Sequence, residues 1–199
     1  MDPHGDSQTY AEPAQIVVDD GLIRVMAWPL MREHGPQQVR RLLRPQVIEY
    51  LHGQALEDAE VVVSELATNA FVHTDGACEM RIVRHAGFPI ACEIVDAGGQ
   101  GDLIAKRLAE AATPIMPTAM AADPDGVAYL DEGGFGLTIV ASLTKGQCGV
   151  HPTRLSHSGQ LGKGVWFAVP ALFGAHRETP RPLLELIRFP PNIKGHPHG

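Results

Sequence analysis

The stretch Asp58-Ala59-Glu60-Val61-Val62-Val63-Ser64-Glu65-Leu66-Ala67-Thr68-Asn69-Ala70-Phe71-Val72-His73 decides how this chain is read. Val62, Val63, Leu66, Ala67 and Ala70 recur at helical spacing, and Asp58 suits an N-cap. The pattern therefore predicts a helix over 58–73 with one apolar stripe. Glu65, Asn69 and His73 fall four apart and share a face beside that stripe. Spacing alone favours a solvated polar edge, because polar residues at i and i+4 are common on helices. Whether they do more depends on the rest of the chain.

On the N-terminal side, Leu22 to Trp28 alternates like a strand. From Pro36 to Leu51, Val39, Leu42, Leu43, Val47 and Leu51 follow helical spacing. Pro36 suits the first turn, while Pro45 should kink or divide this helix. On the C-terminal side, Asp75-Gly76 marks a turn. Cys78–Val83 and Ile90–Val95 then read as antiparallel strands joined through Gly87-Phe88-Pro89.

Asp96-Ala97-Gly98-Gly99-Gln100-Gly101 and Asp131-Glu132-Gly133-Gly134-Phe135-Gly136 bracket the next segment. Its length of about 30 residues marks a functional or a disordered loop. Leu137–Leu143 follows as a helix, and Cys148–His151 and Val165–Val169 as strands. This order gives an α/β fold: an α+β two-layer sandwich with a mixed, mostly antiparallel sheet and helices on one face. Residues 1–14 read as a flexible N-terminus, 15–170 as one domain, and 171–199 as a proline-rich tail. Within the tail, Leu183-Leu184-Glu185-Leu186-Ile187 has the pattern of one or two helical turns.

Composition removes several classes of function. The 199 residues carry a formal charge of −7, with 44% hydrophobic side chains. The tail holds four basic and two acidic residues, which leaves −9 in residues 1–170. An acidic body argues against direct nucleic-acid binding. No run reaches the roughly 18 apolar residues of a membrane span, and Met1-Asp2-Pro3-His4 does not resemble a secretion signal. Three unpaired cysteines, Cys78, Cys92 and Cys148, suit a reducing cytoplasm.

Few familiar motifs fit. Gly162-Lys163-Gly164 lacks the earlier glycine of a P-loop, Gly98-Gly99-Gln100-Gly101 is no dinucleotide fingerprint, and no Gly-x-Ser-x-Gly elbow is present. Gly134-Phe135-Gly136 before an apolar helix admits two readings. It is either a tight helix entry or a place where backbone N–H groups meet an anion.

The ordered set resembles the GHKL ATPase superfamily. Its members in sequence are Glu65-Leu66-Ala67-Thr68-Asn69-Ala70-Phe71-Val72-His73, Asp96-Ala97-Gly98, Glu132-Gly133-Gly134-Phe135-Gly136-Leu137 and Gly162-Lys163-Gly164-Val165-Trp166. Within that superfamily it looks most like bacterial anti-sigma-factor serine/threonine kinases of the actinobacterial type, over about residues 22–170. The resemblance implies a histidine-kinase-like ATPase fold with an ATP lid over about 97–133, and ATP and Mg²⁺ as cofactors. It implies Glu65 as general base and Asn69 as Mg²⁺ ligand. Asp96 would accept from the adenine amino group, with Gly98 beneath the base. Gly134, Gly136 and Leu137 would lie along the nucleotide. A Mg²⁺ ion takes an amide oxygen readily, and phosphoryl transfer depends chiefly on positioning and charge neutralisation.

The chain departs from the family pattern in places. Gln100 stands where the G1 box wants its last glycine, Cys148 where relatives commonly carry Trp, and Gly164 where Thr is usual. The expected partners are an anti-anti-sigma-type (STAS-like) acceptor protein, a sigma factor, and a second copy of the chain in a homodimer. The competing expectation is a non-catalytic ATP-binding or degenerate module that sequesters a transcription regulator. His73 is expected to make a structural hydrogen bond.

Overall fold

The computed structural model describes residues 12–18, 22–112 and 135–169. In chain order these form β1 (Ala14–Val18), β2 (Ile23–Leu30), a 3-10 turn (Arg32–His34), α1 (Gly35–Val47) and α2 (Gln54–His73). Then come β3 (Cys78–His85), β4 (Phe88–Asp96), α3 (Gly101–Ala112), α4 (Phe135–Leu143), β5 (Cys148–Arg154) and β6 (Leu161–Ala168). The six strands make one sheet in the order β1-β2-β3-β4-β6-β5. Every neighbouring pair is antiparallel, so the parallel component allowed for in the sequence reading is absent from the described strands.

The apolar stripes dictate the layering. Val39 and Leu43 of α1, Val63 and Leu66 of α2, Leu108 of α3 and Val140 of α4 share one buried cluster with Met80, Ile82, Ile94 and Phe167 of the sheet. All four helices therefore lie on one face of an α+β sandwich. Full burial of each such side chain contributes about 1.5–3 kcal/mol. A second cluster, containing Ile23, Val25, Val83 and Trp166, is made of strand residues only and belongs to the other face.

That second face also buries charge. Glu79, Arg81, Glu93, His151 and Thr153 are all at most 6% exposed. Arg81 Nε donates to Glu79 Oε1 at 2.6 Å, and its Nη1 donates to Glu93 Oε1 and Thr153 Oγ1, each at 3.2 Å. His151 Nε2 meets Glu93 Oε2 at 2.7 Å. Burial alone would raise the Glu93 pKa, but the His151 hydrogen bond and the Arg81 guanidinium outweigh it and hold it below the ordinary value.

Several expectations are corrected. Pro45 neither divides nor ends α1, which runs two residues past it to Val47. Its missing N–H removes one bond from the last turn, while fully buried Leu43 and Val47 still anchor that turn. Asp58 is not a cap, because α2 begins at Gln54 after Gly53, and Asp58 instead accepts from Gln54 Nε2 at 2.8 Å. Buried Leu56 and Ala59 extend the stripe by the extra turn. Gly53 supplies the entry with a φ of 54°, in the left-handed region.

The strand β1 begins inside the segment read as flexible and pairs Ala14 with Ala27. The β3–β4 turn falls at Ala86-Gly87, both at positive φ, so Phe88 and Pro89 belong to β4. The first part of the expected lid is helical: α3 places Ile104, Leu108 and Ala111 against the main core. Residues 1–11, the lid segment 113–134 with Gly134, and the tail 171–199 lie outside the described residues.

Candidate functional site

Three distant parts of the sequence converge beside α2. Asn69 and His73 project from its C-terminal half, Asp96 closes β4, and Gly136 and Leu137 open α4. A cavity of about 210 Å³ lies among them, bounded by Asn69, His73, Asp96, Leu137 and, from β6, Lys163. Apolar Leu66, Ile94, Leu103 and Val165 supply much of its wall. A concave, mostly apolar site with a few converging polar groups is the usual form of a small-molecule site.

Asn69 is the most telling member. Its Nδ2 is buried and has no hydrogen-bond partner among the described residues, so a donor at the cavity is left for an acceptor from a ligand or water. The backbone of Gly136 seats directly on this part of α2. A Cβ at position 136 would stand 2.7 Å from Glu65 Oε2 and 3.1 Å from Asn69 Nδ2. Any larger residue here would have to displace the ends of both side chains.

Asp96 is 1% exposed, and its Oδ1 accepts from Gly98 N at 2.7 Å and from Lys163 Nζ at 2.6 Å. The same crowding explains Gly98, where a Cβ would meet Asp96 Oδ1 at 2.8 Å and Lys163 Nζ at 2.9 Å. Opposite Asp96 in the sheet stands Cys78. Burial pushes its thiol up to about 11, with the Asp96 carboxylate adding to the effect, so the sulfur stays protonated near neutral pH.

Glu65 does not line this cavity. It is half-buried and opens onto a neighbouring groove with Arg40, Glu60 and Ser64 between α1 and α2. Arg40 Nη1 donates to Ser64 Oγ at 3.0 Å across that groove. The structure therefore gathers Asn69, Asp96, Gly98, Gly136 and Leu137 around one place, and sets Glu65 at its margin, facing a second opening. The side chain of His73 makes no hydrogen bond among the described residues; it is exposed and borders the cavity.

Lys163, Gln100 and Arg107 also border the cavity and were not selected from sequence. The signal for Lys163 was a charge between two glycines, two positions before the apolar run Val165-Trp166-Phe167-Ala168. It becomes informative only once β6 is known to begin at Leu161. Arg107 sits one helical turn from Ile104 on α3, a helix absent from the sequence reading.

As a place for Mg²⁺ the residues fit. Asn69 borders the cavity and offers a carboxamide oxygen of the kind Mg²⁺ prefers, while its unpartnered Nδ2 is a donor suited to a ligand oxygen and not to the metal. Among the described residues no group of three or more His, Cys, Asp or Glu side chains is arranged to hold a metal, so a metal here would need ligand oxygens from elsewhere. No described helix is long and apolar enough to cross a membrane.

No family model matches the chain, and no curated protein matches it. Among solved structures, it is similar to the crystal structure of an uncharacterized protein from Bacillus halodurans. The two share 10% sequence identity over 80% of this chain and 92% of that chain, with a TM-score of 0.22.

Proposed function

We propose that this chain is a GHKL-type, ATP- and Mg²⁺-dependent protein serine/threonine kinase of the anti-sigma-factor kind, working in a partner-switching circuit. The reading is supported chiefly by one observation. Gly136, Asn69 and Glu65 meet at the junction of α4 and α2, beside a cavity whose far wall carries Asp96. In this reading the nucleotide would supply the γ-phosphoryl group, and Mg²⁺ held at Asn69 would neutralise its charge.

The chain's own residues divide the work by position. Asp96 orients the base. Leu66, Ile94 and Val165 exclude water from it. Asn69 holds the metal end, and the start of α4 lies beside the phosphates. Glu65, on the margin and open to the α1–α2 groove, takes the proton from an acceptor hydroxyl arriving on that side. The acceptor would be a STAS-like protein, with a sigma factor as the competing partner and a homodimer as the assembly.

The second reading, a nucleotide-responsive or degenerate module that sequesters a regulator, draws on Lys163, whose ammonium already occupies one oxygen of the Asp96 carboxylate. Glu65→Gln separates the two. The kinase reading expects ATP affinity within about threefold of wild type and phosphate transfer reduced by roughly 10²–10⁴, the usual worth of a general base. Transfer at the wild-type rate removes Glu65 from that role. A wild-type chain that binds ATP with Mg²⁺ but transfers phosphate to no acceptor favours the module.

A further inference from the structure

The roles above leave Lys163 without a task. It is a buried cation, 5% exposed, placed by β6 directly opposite Asp96 in the sheet register. Asp96 is buried more deeply still, at 1% exposed, and both groups crowd the Cα of Gly98. Withdrawing two charges from water costs several kcal/mol for each, and a packed apolar pair would serve stability as well or better. A pair kept at the wall of a cavity has something else to do.

Its chemistry is directional. The carboxylate only accepts hydrogen bonds, and the ammonium only donates them. Lys163 has three N–H donors and spends one on Asp96. On the Asp96 side, Gly98 and Lys163 both use Oδ1, so neither takes Oδ2. The pair therefore presents an acceptor beside a donor to the cavity, and its complement is a ligand edge with an N–H beside a lone pair. An amino group next to a ring nitrogen, as along the 6-amino/N1 edge of adenine, has that order. A 6-oxopurine in the same pose would set a carbonyl against the carboxylate and an N–H against the ammonium.

We propose that Lys163 is a specificity-determining residue that donates to N1 of the base while Asp96 accepts from its 6-amino group. This rests on the ATP reading above, and it assigns to the side chain of Lys163 a recognition role beyond that of Asp96. It also gives the buried pair a purpose: each member holds the other aimed at the ligand.

The test is an equilibrium titration of the full chain with ATP and with 1-deaza-ATP, in which a C–H replaces N1. Wild type, Lys163→Met and Lys163→Gln are compared, with circular dichroism as the check on folding. The expected wild-type preference for ATP is about tenfold or more, the worth of a hydrogen bond to a charged donor. Lys163→Met should bring the ratio to about one. Lys163→Gln, whose amide still donates, should recover part of it. Equal wild-type affinity for the two nucleotides overturns the proposal without recourse to any variant, and so does an undiminished ratio in folded Lys163→Met. Wild type binding neither nucleotide overturns the ATP reading and this inference together. Wild type binding both equally overturns this inference alone.

Discussion

Gly164→Ala tests the account of the buried charge network most directly. Gly164 stands in β6 on the face away from the helices, opposite His151 of β5. A Cβ there would lie 2.7 Å from Glu93 Oε2 and 2.9 Å from His151 Nε2. Those two atoms are themselves 2.7 Å apart, so the methyl group would wedge against both ends of one hydrogen bond. Reaching ordinary van der Waals separation requires movements of about half an ångström or more. Neither side chain can swing away freely, since Glu93 is fully buried and tied to Arg81, and His151 is 6% exposed.

The magnitude follows from three contributions. Overpacking costs about 1–3 kcal/mol, and loss of a hydrogen bond to a charged group about 1.5–3. Replacing glycine in a strand returns about 0.5–1. The net expectation is destabilisation by about 3 kcal/mol, read as ΔG of unfolding in urea with m unchanged. Removing the imbidazole makes room, so Gly164→Ala in a His151→Ala background should cost less, with a coupling of about 2 kcal/mol. A Gly164→Ala chain as stable as wild type, or strict additivity with His151→Ala, would refute the reasoning. The same crowding accounts for glycine at this position: a larger, branched side chain fits still less well.

Two further outcomes are expected. Gly136→Ala should leave stability within about 1 kcal/mol, because alanine favours the helix and the atoms it meets are the ends of Glu65 and Asn69. Affinity for Mg·ATP in the same chain should fall at least about tenfold as those ends are displaced, and unchanged affinity would show that the seat of α4 on α2 does not shape the site. The second concerns acid. The Glu93 carboxyl is held below its ordinary value, so its stabilisation is complete above the unfolded pKa of about 4.3 and is lost as pH falls through the lower, folded pKa. Wild type should exceed Glu93→Gln in stability at pH 7 by about 3 kcal/mol, and the gap should close in urea titrations carried below pH 4. Parallel stability curves down to pH 2.5 would contradict this.

How much of this was legible beforehand varies by element. Where one face of an element meets the core, period alone sufficed: Val62, Val63, Leu66, Ala67 and Ala70 mark α2, and the alternation from Cys78 marks β3. The short edge strand β1 was not legible, because five residues after a proline carry little pattern and their pairing with β2 comes from outside the segment. Nor was α3, whose Leu103, Ile104 and Leu108 follow helical spacing but lie just beyond a run of glycines that reads as loop. Pro45 was over-read, because a propensity counts the bond lost and not the burial of Leu43 and Val47 that outweighs it.

The candidate site divides in the same way. Local sequence determined that Glu65, Asn69 and His73 share a helical face, that Asp96 ends a strand and that Gly136 opens a helix, since each follows from the geometry of one element. Only the tertiary structure decided that Gly136 closes on Asn69 and Glu65, that Glu65 opens to a groove apart from the cavity, and that Lys163 is bound to Asp96. Those are contacts between residues about 67–71 positions apart, or across neighbouring strands of different origin. Helical and strand periods describe the direction of a side chain from its own backbone; the partner it meets is decided by strand order and layer packing.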